Sequence, residues 1–202
     1  MPLPKRRSRT RNITLACKRE DNETLTIEVD PSIRRIVGKD FQYFISESGC
    51  IVRKFGRLNV DKWSHLQAKY RDNLYKTVTD DFQFENNIAS KTAINRQLNI
   101  LYRNHRYRLH KYFLTFETKE EAIQHVPEGV SIKDWTWICN YFGSEEFKKI
   151  SDRNKVNRAK NETHTTVGTK SLARVVEEKK KKEGVELSEI EVFEISRTSK
   201  KT

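Results

Sequence analysis

Arg96, Asn99, Arg103, Tyr107 and Lys111 follow one another at intervals of three or four residues. In a helix that spacing puts them on one side, with Asn104 beside them. Guanidinium and ammonium groups neutralise phosphates, asparagine amides match base edges, and an aromatic ring completes what a nucleic-acid partner needs. A second set, Asn154, Lys155, Asn157, Arg158 and Lys160, lies downstream. There Asn154, Asn157 and Arg158 stand at i, i+3 and i+4, flanked by the two lysines. Such a face clamps phosphates through amides and a guanidinium. The alternative is that these Asn and Arg side chains cap neighbouring helix ends within the fold.

The first set needs a long helix, and the sequence provides one. Ser90 can cap a helix running to about Phe113, whose other side carries Ile94, Leu98, Leu101, Tyr102, Leu109 and Tyr112, with His105 among them. His105 reads as a half-buried packing residue and His110 as a minor phosphate contact. Residues 86–116 hold six Lys/Arg and no carboxylate. A merely solvated face, the bland alternative, would normally mix signs.

Charge elsewhere follows the same logic. The 202 residues carry a net charge of +12, and residues 1–19 hold seven Lys/Arg with no acid. Charge concentrated in two acid-free stretches points to a polyanionic partner. Nucleic acid fits better than a membrane surface, because Lys5 to Arg11 has no apolar anchor beside it. That run reads as a phosphate-contacting arm or a nuclear localisation patch. With 35% hydrophobic and 34% charged residues the core is modest, but ten Phe, seven Tyr and three Trp keep the chain out of the disordered class. No apolar run is long enough to span a membrane and the N-terminus lacks a secretory h-region. Cys17, Cys50 and Cys139 are odd in number and far apart, which argues for free thiols rather than a disulfide framework or a zinc site. No cofactor is expected.

The expected architecture is mainly α: a helical bundle, helix-turn-helix-like by analogy, with a small N-terminal β-hairpin and a disordered basic arm. The arm spans residues 1–12. A hairpin over 13–30, from the partly alternating segments Ile13–Cys17 and Thr24–Val29, opens a hairpin-and-extended region 13–58 that includes a glycine-punctuated stretch around Ile45–Phe55. A helical, nucleic-acid-binding region 59–116 follows, opening with Trp63, Leu66, Tyr70 and Leu74 at helical spacing. Region 117–168 holds a capping box at Thr118–Glu121, a helix opened by Ser131 and closed near Gly143, and the second basic set. Residues 169–202 form a C-terminal helix and tail, and Ser188–Glu191 can start one more turn.

Three runs carry a family resemblance: Trp135 to Phe142 (WTWICNYF), Ser151 to Lys160 (SDRNKVNRAK), and His164 to Ala173 (HTTVGTKSLA). Together they resemble the plant transposase family of Ptta/En/Spm (CACTA-type) elements, with its Trp-rich helix, S-x-x-N-K-x-N-R-x-K run and H-T-x-G-S/T-K-S-F/L-A run. The likeness extends over roughly residues 36–200. The chain departs from the pattern by the inserted Val167 and by Leu172 where Phe is usual. The resemblance implies a transposon-derived nuclear protein linked to DNA binding in transposition, with transposon ends as a possible target and a separately encoded catalytic transposase as a possible partner.

A cut-and-paste nuclease of the RNase H type needs three carboxylates holding two metals. Asp80, Asp81, Asp134, Glu145 and Glu146 are scattered and read as helix caps or first-turn acids, so intrinsic catalysis is not expected. A different class, a protein–protein adaptor or homo-oligomer, rests on Leu172, Val175 and Val176, an apolar stripe before the charged run Glu177–Lys182 that suits a short coiled coil.

Overall fold

The structure, a computed structural model, describes residues 13–21, 23–30, 33–160, 172–184 and 187–197. The expected basic arm and the His164–Gly168 turn lie outside them. Among the described residues the chain is mainly helical: α1 Ile13–Glu20, α2 Phe41–Phe55, α3 Ala68–Thr79, α4 Ile88–Phe113, α5 Lys119–Gln124, α6 Ile132–Gly143, α7 Glu145–Ala159, α8 Leu172–Glu183 and α9 Glu189–Arg197. Four short strands accompany them: β1 Leu25–Thr26, β2 Glu28–Asp30, β3 Arg35–Val37 and β4 Phe82–Gln83. Among the described residues no helix is long and apolar enough to cross a membrane.

The small hairpin exists, but not where the alternation put it. Residues 13–20 form helix α1, whose Leu15 is fully buried. The antiparallel pair is β2 with β3, in the register Val29↔Ile36, while β1 pairs in parallel with β4. Leu25, Ile27 and Val29 do alternate inward as a strand should, with the first two buried. Their partners simply come from downstream. The stretch around Ile45–Phe55 is likewise helix, not extended chain. In α2 the buried Phe44, Ser48, Ile51 and Val52 fall at i, i+4, i+7 and i+8. Gly49 is no breaker there. It is buried within the helix, and a Cβ there would stand 3.9 Å from Leu101 Cδ2, an ordinary contact, and 3.3 Å from Arg53 Nη1. Gly56 stops α2, because a Cβ would fall 2.3 Å from the carbonyl oxygen of Val52 that its own N–H binds. The segment from Asn59 begins irregularly: Trp63–His65 is a 3₁₀ turn, and helix proper starts at Ala68.

Local caps fall where the sequence put them. Thr118 accepts the Glu121 N–H, Ser131 the Asp134 N–H, and Ser188 the Glu191 N–H. Asn87, not Ser90, caps α4 by accepting the Ser90 N–H at 2.8 Å. Ser144 links α6 to α7, donating to Tyr141 O and accepting from Phe147 N.

One hydrophobic cluster runs from Leu15 to Phe142 and joins α1, α2, α3, α4, α5 and α6. The expected region boundaries at 58/59 and 116/117 do not interrupt it. Trp135 is fully buried and donates from Nε1 to Ala122 O at 2.7 Å, which fastens α6 to α5. Helix α8 packs on β3. There Lys180 and Asp30, both nearly buried, meet at 2.9 Å. Val176 of the expected apolar stripe is fully buried.

Candidate nucleic-acid interface

Helix α4 divides as its sequence predicts. Ile94, Leu98, Tyr102, His105 and Leu109 are buried, whereas Arg96, Arg103, Tyr107 and Lys111 are exposed. Tyr112, expected on the core side, is 36% exposed and packs edge-on to Phe116. The Lys111 ammonium stands 5.0 Å from the centre of the Tyr107 ring, a cation beside an exposed aromatic face.

Beside α4 lies a cleft of about 490 Å³, walled by α4, the Asp61–Ser64 segment and α7. It brings together four of the residues that the two sequence patterns singled out: Asn99, Arg103 and Tyr107 from α4, and Asn154 from α7. The other candidates lie around it. Arg96 and Lys111 extend the α4 stripe, while Lys155, Asn157, Arg158 and Lys160 are exposed on or at the end of α7. Lys155 is paired with Asp152 at 3.1 Å, both side chains well exposed. The neighbouring helix starts are capped by Thr118, Ser131 and Ser144, so the second basic set is not needed as their caps.

Sequence reasoning missed the centre of this site. Arg106, counted only as one more positive charge of the acid-free stretch, is 8% exposed. Its Nη1 donates to Leu58 O at 3.2 Å, to Val60 O, and to the Tyr102 hydroxyl at 3.3 Å. Tyr102 in turn donates to Arg57 O at 2.8 Å. The guanidinium stands 5.1 Å from the centre of the Tyr141 ring and 6.0 Å from that of Trp137. Burial pushes the Tyr102 and Tyr141 hydroxyls up, and the Arg106 charge partly opposes this. Arg106 thus pins α4 to the chain just after α2. A signal existed in the sequence, since Tyr102 and Arg106 are an i, i+4 pair on the core side. The carbonyls they need lie 45 to 48 residues away.

His110 also faces the cleft. Its ring meets Phe142 and Phe147 edge-on at 4.8 and 5.0 Å. Burial, with Lys155 adding to it, holds the imidazole below its ordinary pKa. It is a packing residue of the cleft wall that stays neutral near pH 7.

The carboxylates are dispersed. Asp134 sits in the first turn of α6, bonded to the Ser131 hydroxyl. Glu145 sits in the first turn of α7 and pairs with Lys148. Asp80 ends α3, and Asp81 lines a separate concavity with Glu47 and Asp80. Among the described residues no group of three His, Cys, Asp or Glu is placed to hold a metal. Cys17, Cys50 and Cys139 form no disulfide with one another, and burial pushes the Cys139 thiol up to about 11.

No curated protein and no solved structure matches the chain. A family model does: that of the plant transposases (Ptta/En/Spm family) matches residues 132–202. The matched span starts at α6 and includes α7 with its Asn154-to-Lys160 run; α4 lies upstream of it. The cleft therefore joins a matched wall to an unmatched one. The C-terminal third of this chain is similar to the plant transposases of the Ptta/En/Spm family, which relates the protein to transposable elements.

Proposed function

We propose that the protein is a non-catalytic, nuclear DNA-binding component of a transposable element, gripping duplex phosphates along the exposed face of α4 and the adjoining face of α7. The observation that carries this reading is the meeting of the acid-free stripe of α4 with Asn154 of α7 at one cleft. Arg96, Arg103 and Lys111 supply mobile cations at its surface, and Arg158 and Lys160 extend the positive field along α7. Strand cutting would fall to a separately encoded catalytic transposase, with this chain marking the transposon ends.

The test is fluorescence anisotropy on a labelled duplex over a salt series. Affinity should fall steeply with salt, and Arg96→Ala with Arg103→Ala should cost at least about tenfold. It should also reduce the slope by about two, one for each lost phosphate contact. Lys179→Ala with Lys181→Ala should cost much less. Salt-independent binding, or equal losses from the two pairs, would defeat the proposal. Selection from a random DNA pool then asks whether subterminal-repeat-like sequences are preferred.

An adaptor reading draws on other residues. Val176 of α8 is spent within the fold, but Ile190 and Phe193 of α9 are 72% and 58% exposed. Sedimentation without DNA tests self-association, with Phe193→Asp as the variant that should abolish it.

A further inference from the structure

The DNA-binding reading uses the rim of the cleft and leaves its floor unexplained. Arg106 spends Nη1 on backbone carbonyls, yet its buried Nη2 has no hydrogen-bond partner among the described residues. Asn99, two turns earlier on the same side of α4, likewise holds a buried Oδ1 with no partner among them. Buried polar groups are normally satisfied, and a desolvated group without a partner is costly. Both residues line the same concavity of about 490 Å³, within the range of small-ligand sites. Its remaining walls include the aromatic rings of Trp63, Tyr102, Tyr107 and Phe142, with the exposed cations Lys62 and Arg103 and the carboxylate of Asp61 alongside.

An occupant that satisfies both groups offers an acceptor to Arg106 and a donor to Asn99, and the aromatic walls favour a flat one. A bare phosphate satisfies Arg106 but sets its oxygens against Asn99 Oδ1. A single base fits the chemistry: the edge of thymine or guanine presents a carbonyl oxygen beside a ring N–H. Watson–Crick pairing consumes that edge, so it is free only when the base is unpaired.

We propose that the cleft between α4 and α7 receives one unpaired nucleobase of a bound DNA strand, hydrogen-bonded by Arg106 and Asn99, flanked by Tyr107, with its phosphate on Arg103 and Lys62. The proposal rests on the DNA-binding reading and names what that surface discriminates. It makes the protein a sensor of unpaired nucleotides, the kind exposed where strands are cut, nicked or melted.

The test uses the full chain and three otherwise identical duplexes: one perfectly paired, one with a single extra thymidine, and one with a single extra abasic nucleotide. The thymidine bulge should bind about tenfold more tightly than either of the others, equal to about 1.4 kcal/mol. Asn99→Ala and Tyr107→Ala should each bring the thymidine bulge to within about threefold of the perfect duplex measured with the same variant, whatever they do to duplex affinity itself. Melting temperatures close to the parent's would confirm that both variants are folded. If the abasic bulge binds as tightly as the thymidine bulge, the protein senses backbone flexibility and the base pocket is refuted. Equal affinity for all three duplexes refutes it too, while leaving duplex binding standing. Binding to none of the three defeats both readings. A retained thymidine preference in Asn99→Ala and Tyr107→Ala would place the base elsewhere and overturn the assignment.

Discussion

Helices α4 and α7 both present Asn, Arg and Lys side chains on a helical face, yet the fold treats them oppositely. Helix α4 buries eight side chains and is packed by α2, α3 and α6, so its exposed face is held in a fixed orientation. Helix α7 buries none of its residues and is held through half-buried Phe147 and the shared cap Ser144. On α4 some polar groups are desolvated and directional; on α7 they are solvated and screened. Charged groups in water attract a polyanion at long range but discriminate little, whereas dry, fixed donors and acceptors do the reverse. In the proposed binding mode orientation and selectivity fall to α4, and general attraction to α7.

The contrast is sharpest in stability. Arg106→Ala should cost about 3 kcal/mol in a urea titration, because it strips buried carbonyls of a charged donor. Arg158→Ala, on the exposed face of α7, should stay within about 0.5 kcal/mol of the parent. Comparable losses would break the comparison. Next in size is affinity: Arg158→Ala with Lys160→Ala should weaken all duplexes alike by about three- to fivefold at low salt, and should fade as salt rises. A change in which duplex is preferred would move selectivity onto α7.

A smaller effect concerns acid. Folding depresses the pKa of His110, so the unfolded chain takes up its proton first as pH falls. His110 therefore lowers stability as pH drops below its unfolded value of about 6.5 and stops doing so once the folded imidazole is itself protonated. Stability curves of the parent and His110→Gln should run parallel above pH 7 and diverge below about 6.5, with the parent falling faster. The least effect is expected from Lys155→Ala. Losing the exposed pair with Asp152 should leave stability within about 0.5 kcal/mol, while the His110 imidazole, followed by NMR, should titrate at a higher pH.

What the sequence disclosed depended on the range of the interaction. Caps at Thr118, Ser131 and Ser188 involve residues three apart, and both faces of α4 follow from helical periodicity, so these were legible. The strand partner of Val29 and the buried role of Gly49 depend on what packs opposite, which local pattern does not encode. The cleft depends on it still more. Asn154 reaches it only because Ser144 turns the chain between α6 and α7, and Arg106 shapes it by claiming carbonyls far upstream. The residue types of the site were therefore readable, but not their convergence or the buried guanidinium at its centre.

The Lys180–Asp30 contact spans almost the whole chain. During synthesis Asp30 is added 150 residues before its ammonium partner, an interval on the order of 10–30 s at ordinary elongation rates. The hairpin β2–β3 is thus translated long before α8 can cover it, and the closing contact waits for Lys180. A nascent chain halted upstream of α8 would carry both walls of the cleft but leave the hairpin without its clasp.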